Sequence, residues 1–281
     1  MSRVRIVTDS TSDIPPEVAE RLHISIVPAY VQVGSRSYRD DSSSAGLSRE
    51  AFYASLPSAP VAPTTSVPSV HEFAQAYRGL KDEADEVVAI LVSGELSGMC
   101  NVARLGAQEV SDLSVHVVDS GQTTMGLGWI AIAAAEAAMR GKSAQEILAL
   151  VADLKDRVRV YAVLDTLEYL RRSGRVSWAR AKAAQILRIK PIVSLFLGKV
   201  MELGQTRTTR RAIERLVELT RALGPLERLA VLHTYGSGVE DLRRGLANLC
   251  SPAQLFTVAV TTIIGAHVGP RGLGVAAVVA R

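Results

Sequence analysis

Val87-Val88-Ala89-Ile90-Leu91-Val92, followed at once by Ser93-Gly94-Glu95-Leu96-Ser97-Gly98, is the stretch that decides the fold. A short unbroken apolar run that ends in glycine and serine suits a strand covered on both faces. The polar segment after it opens a helix from about Asn101. Three other runs repeat the design. Val4 to Val7 leads into Thr8-Asp9-Ser10-Thr11-Ser12-Asp13, and Pro15 and Pro16 then start a helix carrying Val18 and Leu22. Val115 to Val118 leads into Asp119-Ser120-Gly121 and an Ala-rich helix, and Val160 to Leu164 leads into Asp165-Thr166 and then Leu167, Tyr169 and Leu170. Apolar strands alternating with helices predict an α/β fold whose N-terminal part is a parallel sheet with helices on both faces. Ligands gather at the carboxyl ends of such strands, where these Asp, Ser and Thr residues fall.

The second half has a different texture. Ile189 to Leu195, Phe196-Leu197-Gly198 and Lys199 to Leu203 read as a hairpin, with Gly198 supplying the turn. Ile213, Leu216, Val217, Thr220 and Leu223 recur at helical spacing until Gly224-Pro225. Leu229 to Leu232 and Phe256 to Ile264 read as further strands. The C-terminal part is therefore expected to be α/β with a partly antiparallel sheet. At about 150 residues per domain the chain makes roughly two, and the boundary is placed after Asp156, giving domains 1–156 and 157–281. Ser55 to Ser69, with four prolines, reads as a functional loop.

Composition removes several classes of function. The 281 residues are 48% hydrophobic and 21% charged, which excludes an intrinsically disordered chain. Lys and Arg number 32 against 28 Asp and Glu, and aromatics are 5%, so a nucleic-acid role has little support. Cys100 and Cys250 are the two cysteines, too few and too far apart for a disulfide framework or a zinc ribbon; a reducing cytoplasm is the natural setting. The N-terminus turns polar before reaching signal-peptide length. Gly126 to Met139, the longest apolar region, carries Glu136, falls short of the ~20 residues that span a bilayer and reads as a buried helix.

Familiar catalytic signatures are missing. The chain has no G-x-x-x-x-G-K-[ST] loop and no H-x-x-x-H pair, and Ser97 is not in a G-x-S-x-G elbow, which disfavours a hydrolase. The remaining polar motifs each have a structural reading of their own. Asp9-Ser10 and Asp119-Ser120 cap helices, Thr64-Thr65-Ser66 shapes a turn, and Arg171-Arg172-Ser173-Gly174-Arg175 makes a solvated face. The cluster Gly265 to Gly274 makes a tight turn holding a hydrogen-bonded loop histidine, His267. A small-molecule phosphotransferase or hydrolase using Asp9, Asp119 and His267 as metal or acid–base groups, and an interaction module acting through Arg171 to Arg175, both stay open on these residues alone.

Taken together, the motifs resemble the DegV family of bacterial fatty-acid-binding proteins over nearly the whole chain. The matching segments are Asp9 to Pro15, Thr65-Ser66-Val67-Pro68-Ser69, Ser93 through Gly98, Val118-Asp119-Ser120 with Met125-Gly126, Leu164 through Arg175, Ile189-Lys190-Pro191-Ile192, and Gly265 through Pro270. The resemblance implies a two-domain protein that encloses one long-chain fatty acid and presents its carboxylate to a separate ATP-dependent kinase, which forms the acyl-phosphate. It implies no catalytic residue, cofactor or metal of its own. The family's carboxylate-binding threonine, serine and histidine fall on Thr65, Ser97 and His267, with Ser66, Gly98, Asp119, Ser120 and Gly265 in supporting loops. Its partner-facing arginines fall on Arg171, Arg172 and Arg175.

Such a carboxylate would be held by neutral hydroxyls and backbone N–H groups without a cation. At ~0.8 kcal/mol per buried CH₂, an acyl tail of about sixteen carbons brings on the order of 10 kcal/mol before the costs of association. The chain departs from the family pattern at Val67, Met99-Cys100, Ser173 and Arg271, which bear on pocket shape and partner docking.

Overall fold

Each apolar run becomes a strand, and the polar segment after it turns the chain back across the sheet. The computed structural model describes residues 3–41, 47–181 and 189–281. The first half runs β1 (Val4–Asp9), α1 (Pro16–Arg21), β2 (Ile24–Val27), β3 (Tyr30–Val33), β4 (Arg36–Arg39), α2 (Arg49–Ser55), β5 (Thr64–Ser66), α3 (Val70–Arg78), β6 (Glu86–Leu91), α4 (Met99–Gln108), β7 (Ser114–Asp119), α5 (Thr124–Met139) and α6 (Ala144–Arg157). Strands β2-β1-β6-β7 form a four-stranded parallel sheet, and β4-β3-β5 a small antiparallel one. The second half runs β8 (Val158–Val163), α7 (Glu168–Ser173), α8 (Ser177–Ala181), β9 (Lys190–Phe196), β10 (Lys199–Thr206), α9 (Thr209–Arg221), β11 (Leu226–His233), α10 (Val239–Leu246), β12 (Leu255–Ala259), α11 (Thr262–Val268) and β13 (Leu273–Val279). These strands make a six-stranded sheet in the order β10-β9-β8-β13-β11-β12, antiparallel except for β11 and β12. The fold is mixed α/β, with helices on a parallel sheet beside a partly antiparallel one. Among the described residues no helix is long and apolar enough to cross a membrane.

Helix α5 joins the two sheets. Apart from Glu136, which pairs with Arg228, it is apolar all round, which a helix tolerates only when covered on every side. It packs on β1 and β6 and also on β8, β11 and β13. Trp129 donates from its indole nitrogen to the Ala276 carbonyl at 3.1 Å, and one buried core runs from Ile6 and Ile90 through α5 to Leu232 and Ala276. Glycine makes the close approach possible: a methyl on Gly128 would lie 2.5 Å from the Ser12 carbonyl oxygen. Because backbone cannot step aside cheaply, Gly128→Ala is expected to cost about 1–3 kcal/mol of stability, read as a lowered denaturation midpoint with an unchanged m-value.

The structure corrects four expectations. Phe256 to Ile264 is not one strand, because β12 stops at Ala259 and α11 begins at Thr262. Gly265 to Val268 accordingly belong to a helix, His267 is a helical residue, and the turn starts only at Gly269, with φ of 79°. An apolar run flanked by threonines fits either element; here the helix wins because carboxylates distant in sequence cap it. The Ser55 to Ser69 segment contains β5, which pairs with β3 through Val31 and Thr65. Helix α4 starts at Met99 rather than near Asn101.

Candidate functional site

Loop 93–98 leaves the carboxyl end of β6 and is pinned from several directions. Gly94 donates its N–H to Asp119 Oδ2 at 3.0 Å, Gly121 donates to Asp119 Oδ1 at 2.8 Å, and Ser93 donates to the Gln122 carbonyl at 2.9 Å. The Ser120 hydroxyl accepts from Gln122 N at 3.0 Å. From the other half, the tip of the β9–β10 hairpin rests on this loop. Gly198, at φ of 80°, donates to the Gly121 carbonyl at 2.7 Å, and a Cβ there would sit 2.5 Å from Ser93 Oγ. Within the pinned loop Ser97 Oγ accepts from Met99 N at 3.3 Å, which leaves its hydroxyl proton available.

Facing this loop are β5 and α11. Thr65 Oγ1 lies 2.9 Å from His267 Nε2. Helix α11 lies directly on the ring of Tyr53, since a Cβ on Gly265 would meet the Tyr53 hydroxyl at 2.5 Å. At its other end Gly269 packs on the ring of Tyr169 from α7, leaving no room for a Cβ there. Burial, aided by the nearby Arg175 guanidinium, pushes the His267 imidazole down to about 4, so it is neutral at pH 7.

These elements border a cavity of about 230 Å³. It exceeds the ~150 Å³ apolar void that stays dry and admits benzene. Thr65, Ser66, Ser97, Gly98, Arg175 and His267 line it, while Val160, Val193, Leu195, Leu232 and Ile263 are among its apolar walls. In register on neighbouring strands, Ala162 and Gly274 leave a low place in the sheet face that borders it. Most of the apolar walls come from the second half, and the polar ones come from both halves alike.

The structure brings Thr65, Ser97 and His267 to one cavity with Ser66 and Gly98 beside them, and it assigns different places to Asp119, Ser120, Gly265, Arg171 and Arg172. Asp119 and Ser120 tie loops together and do not line it, and Gly265 serves the packing of α11. Arg171 and Arg172 pair with Glu168 on α7, away from the cavity wall. Arg175 does line it, so a cation stands where the sequence reading had none. Asp9, Asp119 and His267 do not meet at the cavity. Asp9 is fully buried and accepts from Thr11 N, the Thr11 hydroxyl and Val92 N, and its burial pushes the carboxyl up. Among the described residues no three His, Cys, Asp or Glu side chains gather as a metal ion needs. The apolar wall escapes a sequence reading because it is assembled from β8, β9, β11 and α11, whose patterns mark buried faces without showing which of them border a cavity.

The family model for DegV, described as an uncharacterised protein family, matches residues 3–280. This chain belongs to the DegV family. A DegV domain-containing protein of Streptomyces coelicolor is 37% identical over 284 residues, covering 98% of each chain. A solved Thermus thermophilus structure, reported as showing fatty-acid binding by a DegV family protein, superposes with a TM-score of 0.89 at 32% identity, covering 99% of this chain and 100% of that one. DegV of Bacillus subtilis, described as a fatty acid binding protein, superposes with a TM-score of 0.87 at 28% identity over 100% of both chains.

Proposed function

We propose that this DegV protein binds one long-chain fatty acid between its two halves, 1–156 and 157–281, and presents the carboxylate to a separate ATP-dependent kinase for conversion to acyl-phosphate. The observation that carries this reading is the single cavity that joins an apolar sheet face to the hydroxyls of Thr65 and Ser97 and the neutral imidazole of His267. The solved DegV relatives described as fatty-acid-binding support it.

In the bound state a neutral His267 with its proton on Nε2 donates to Thr65 Oγ1. That frees the Thr65 hydroxyl proton for one carboxylate oxygen, and Ser97 donates to the carboxylate as well. Arg175 adds a positive field at the cavity without a buried ion pair. The protein supplies position and solvation, the kinase supplies the chemistry, and no side chain of this chain acts on the reacting phosphorus. Arg171 and Arg172, half exposed on α7, offer the kinase a basic face in the cytoplasm.

Protein purified without added lipid and then denatured is expected to release one fatty acid of about C14 to C18 per chain, identified by mass spectrometry. An empty cavity or a polar ligand would overturn the reading.

A further inference from the structure

Helix α11 carries His267, yet its own N-cap residue, Thr261, makes no side-chain cap. Its first turn is held by groups from more than 200 residues away. Asp13 Oδ1 accepts from Thr261 N at 2.8 Å, and Asp40 Oδ1 accepts from the Thr262 hydroxyl at 2.9 Å. Arg49 donates to the Ala259 carbonyl at 2.7 Å, and the Tyr53 hydroxyl reaches the carbonyls of Val260 and Thr261, both at 3.0 Å. The same carboxylates stand behind the cavity wall. Thr124 and Thr11, which both line the cavity, donate their hydroxyls to Asp13 and Asp9 at 2.5 Å each.

The charges in this cluster do not balance. Asp9 comes from β1, Asp13 from the turn after it and Asp40 from the end of the β3–β4 hairpin; all three are buried. Facing them are Arg49 and Tyr53 of α2, Tyr235 beyond β11 with Glu50 beside it, and Cys100 of α4 near Asp9. Arg49 is the one cation that bears on Asp13 and Asp40 among these groups. Full ionisation would leave excess negative charge in a dry place, so the cluster keeps a proton that belongs to no one residue. We propose that Asp13 and Asp40 are positioning residues for His267, and that the proton they share with Asp9 couples the seating of α11, and so the grip on a bound carboxylate, to pH.

Burial pushes Asp13 up to about 7, against the partly compensating pull of Arg49 and the bonds from Thr124 and Thr261. A carboxyl raised in this way contributes stability that is present at acid pH and is lost as pH rises through that value. The seating of α11 therefore weakens as pH rises towards about 7 and changes little well above it. Nothing at the head group masks the change. A free carboxylate is already ionised, and burial keeps His267 and His233 below the ordinary histidine value.

The ligand half of this inference rests on the fatty-acid reading, so two readouts are needed. Affinity for palmitate is expected to fall about tenfold between about pH 6 and about pH 8 and to change little above that, while Asp13→Asn, which keeps an acceptor for Thr261 N and cannot ionise, shows a flat profile. In the wild-type protein without added lipid, amide protection of α11 relative to α5, corrected for intrinsic exchange, is expected to fall over the same range. Palmitate binding with equal slopes in both proteins, or with no slope in wild type, overturns the coupling and leaves the fatty-acid reading standing. If palmitate binds at no pH, that reading fails, and the protection of α11 alone decides: a fall supports the proton-linked seating and a constant value overturns it. Should Asp13→Asn not fold, Asp40→Asn and the wild-type exchange profile decide in its place.

Discussion

Ser97→Ala is expected to weaken fatty-acid binding by about 10- to 150-fold, the equivalent of one hydrogen bond to a charged group at about 1.5–3 kcal/mol. The loop explains why so small a change carries so much. Bonds to Asp119 and Gln122, with the Gly198 hairpin tip packed against Ser93, fix loop 93–98 before any ligand arrives, so the hydroxyl is already in place and little ordering is spent when it is used. Removing it leaves that frame intact, and the loss should therefore fall on affinity and leave folding untouched. Thr65→Val is expected to act in the same direction. The double variant should lose less than the two single losses combined, because both hydroxyls act on one carboxylate. Isothermal calorimetry with palmitate, alongside thermal denaturation of the lipid-free protein, separates the two effects. Unchanged affinity in both single variants would place the carboxylate elsewhere in the cavity.

The legible parts of the sequence share one property: the signal for each is local. Val4 to Val7 and Val87 to Val92 announce strands by composition, and the Ala-rich segment announces a covered helix because it offers no polar side. Gly198 marks its hairpin through a left-handed φ. What escaped depends on partners far away in sequence. Helix α11 reads in sequence as a strand end up to Ile264 followed by a turn, because the groups that hold its first turn are Asp13 and Asp40, more than 200 residues earlier. Strand β5 reads in sequence as loop because three residues among prolines become a strand only through pairing with β3.

The same distinction holds for the site. Short motifs that resemble a known family single out Thr65, Ser97 and His267, and nothing local in the sequence shows that the three border one cavity. Arg175 was placed with its basic neighbours, although Gly174 in the left-handed region turns the chain after α7 and separates Arg175 from the Arg171 and Arg172 face. The acid cluster was invisible, since Asp9 and Asp13 read as ordinary turn formers until burial is known.

The tail side of the cavity gives the larger expected effect. Ala162 lies on β8 opposite Gly274 of β13, and a Cβ on that glycine would be 3.4 Å from the Ala162 methyl, so two small residues keep this part of the sheet face low. Both border the cavity, as do Val193 of the neighbouring β9 and Leu232 of β11. An indole at position 162 has open space to enter and would take the volume of roughly six methylenes, worth about 5 kcal/mol of burial. Ala162→Trp is therefore expected to weaken palmitate binding by three to four orders of magnitude, about the factor those methylenes represent. The head group is left alone, so a short acid such as hexanoate should bind the variant about as well as it binds wild type. That inversion of chain-length preference separates a filled tunnel from a damaged protein, because damage would reduce both ligands together. Equal palmitate affinity in the two proteins would mean that the acyl chain does not run along the face of β8 and β13, and the carboxylate geometry would then have to be rebuilt around a different path.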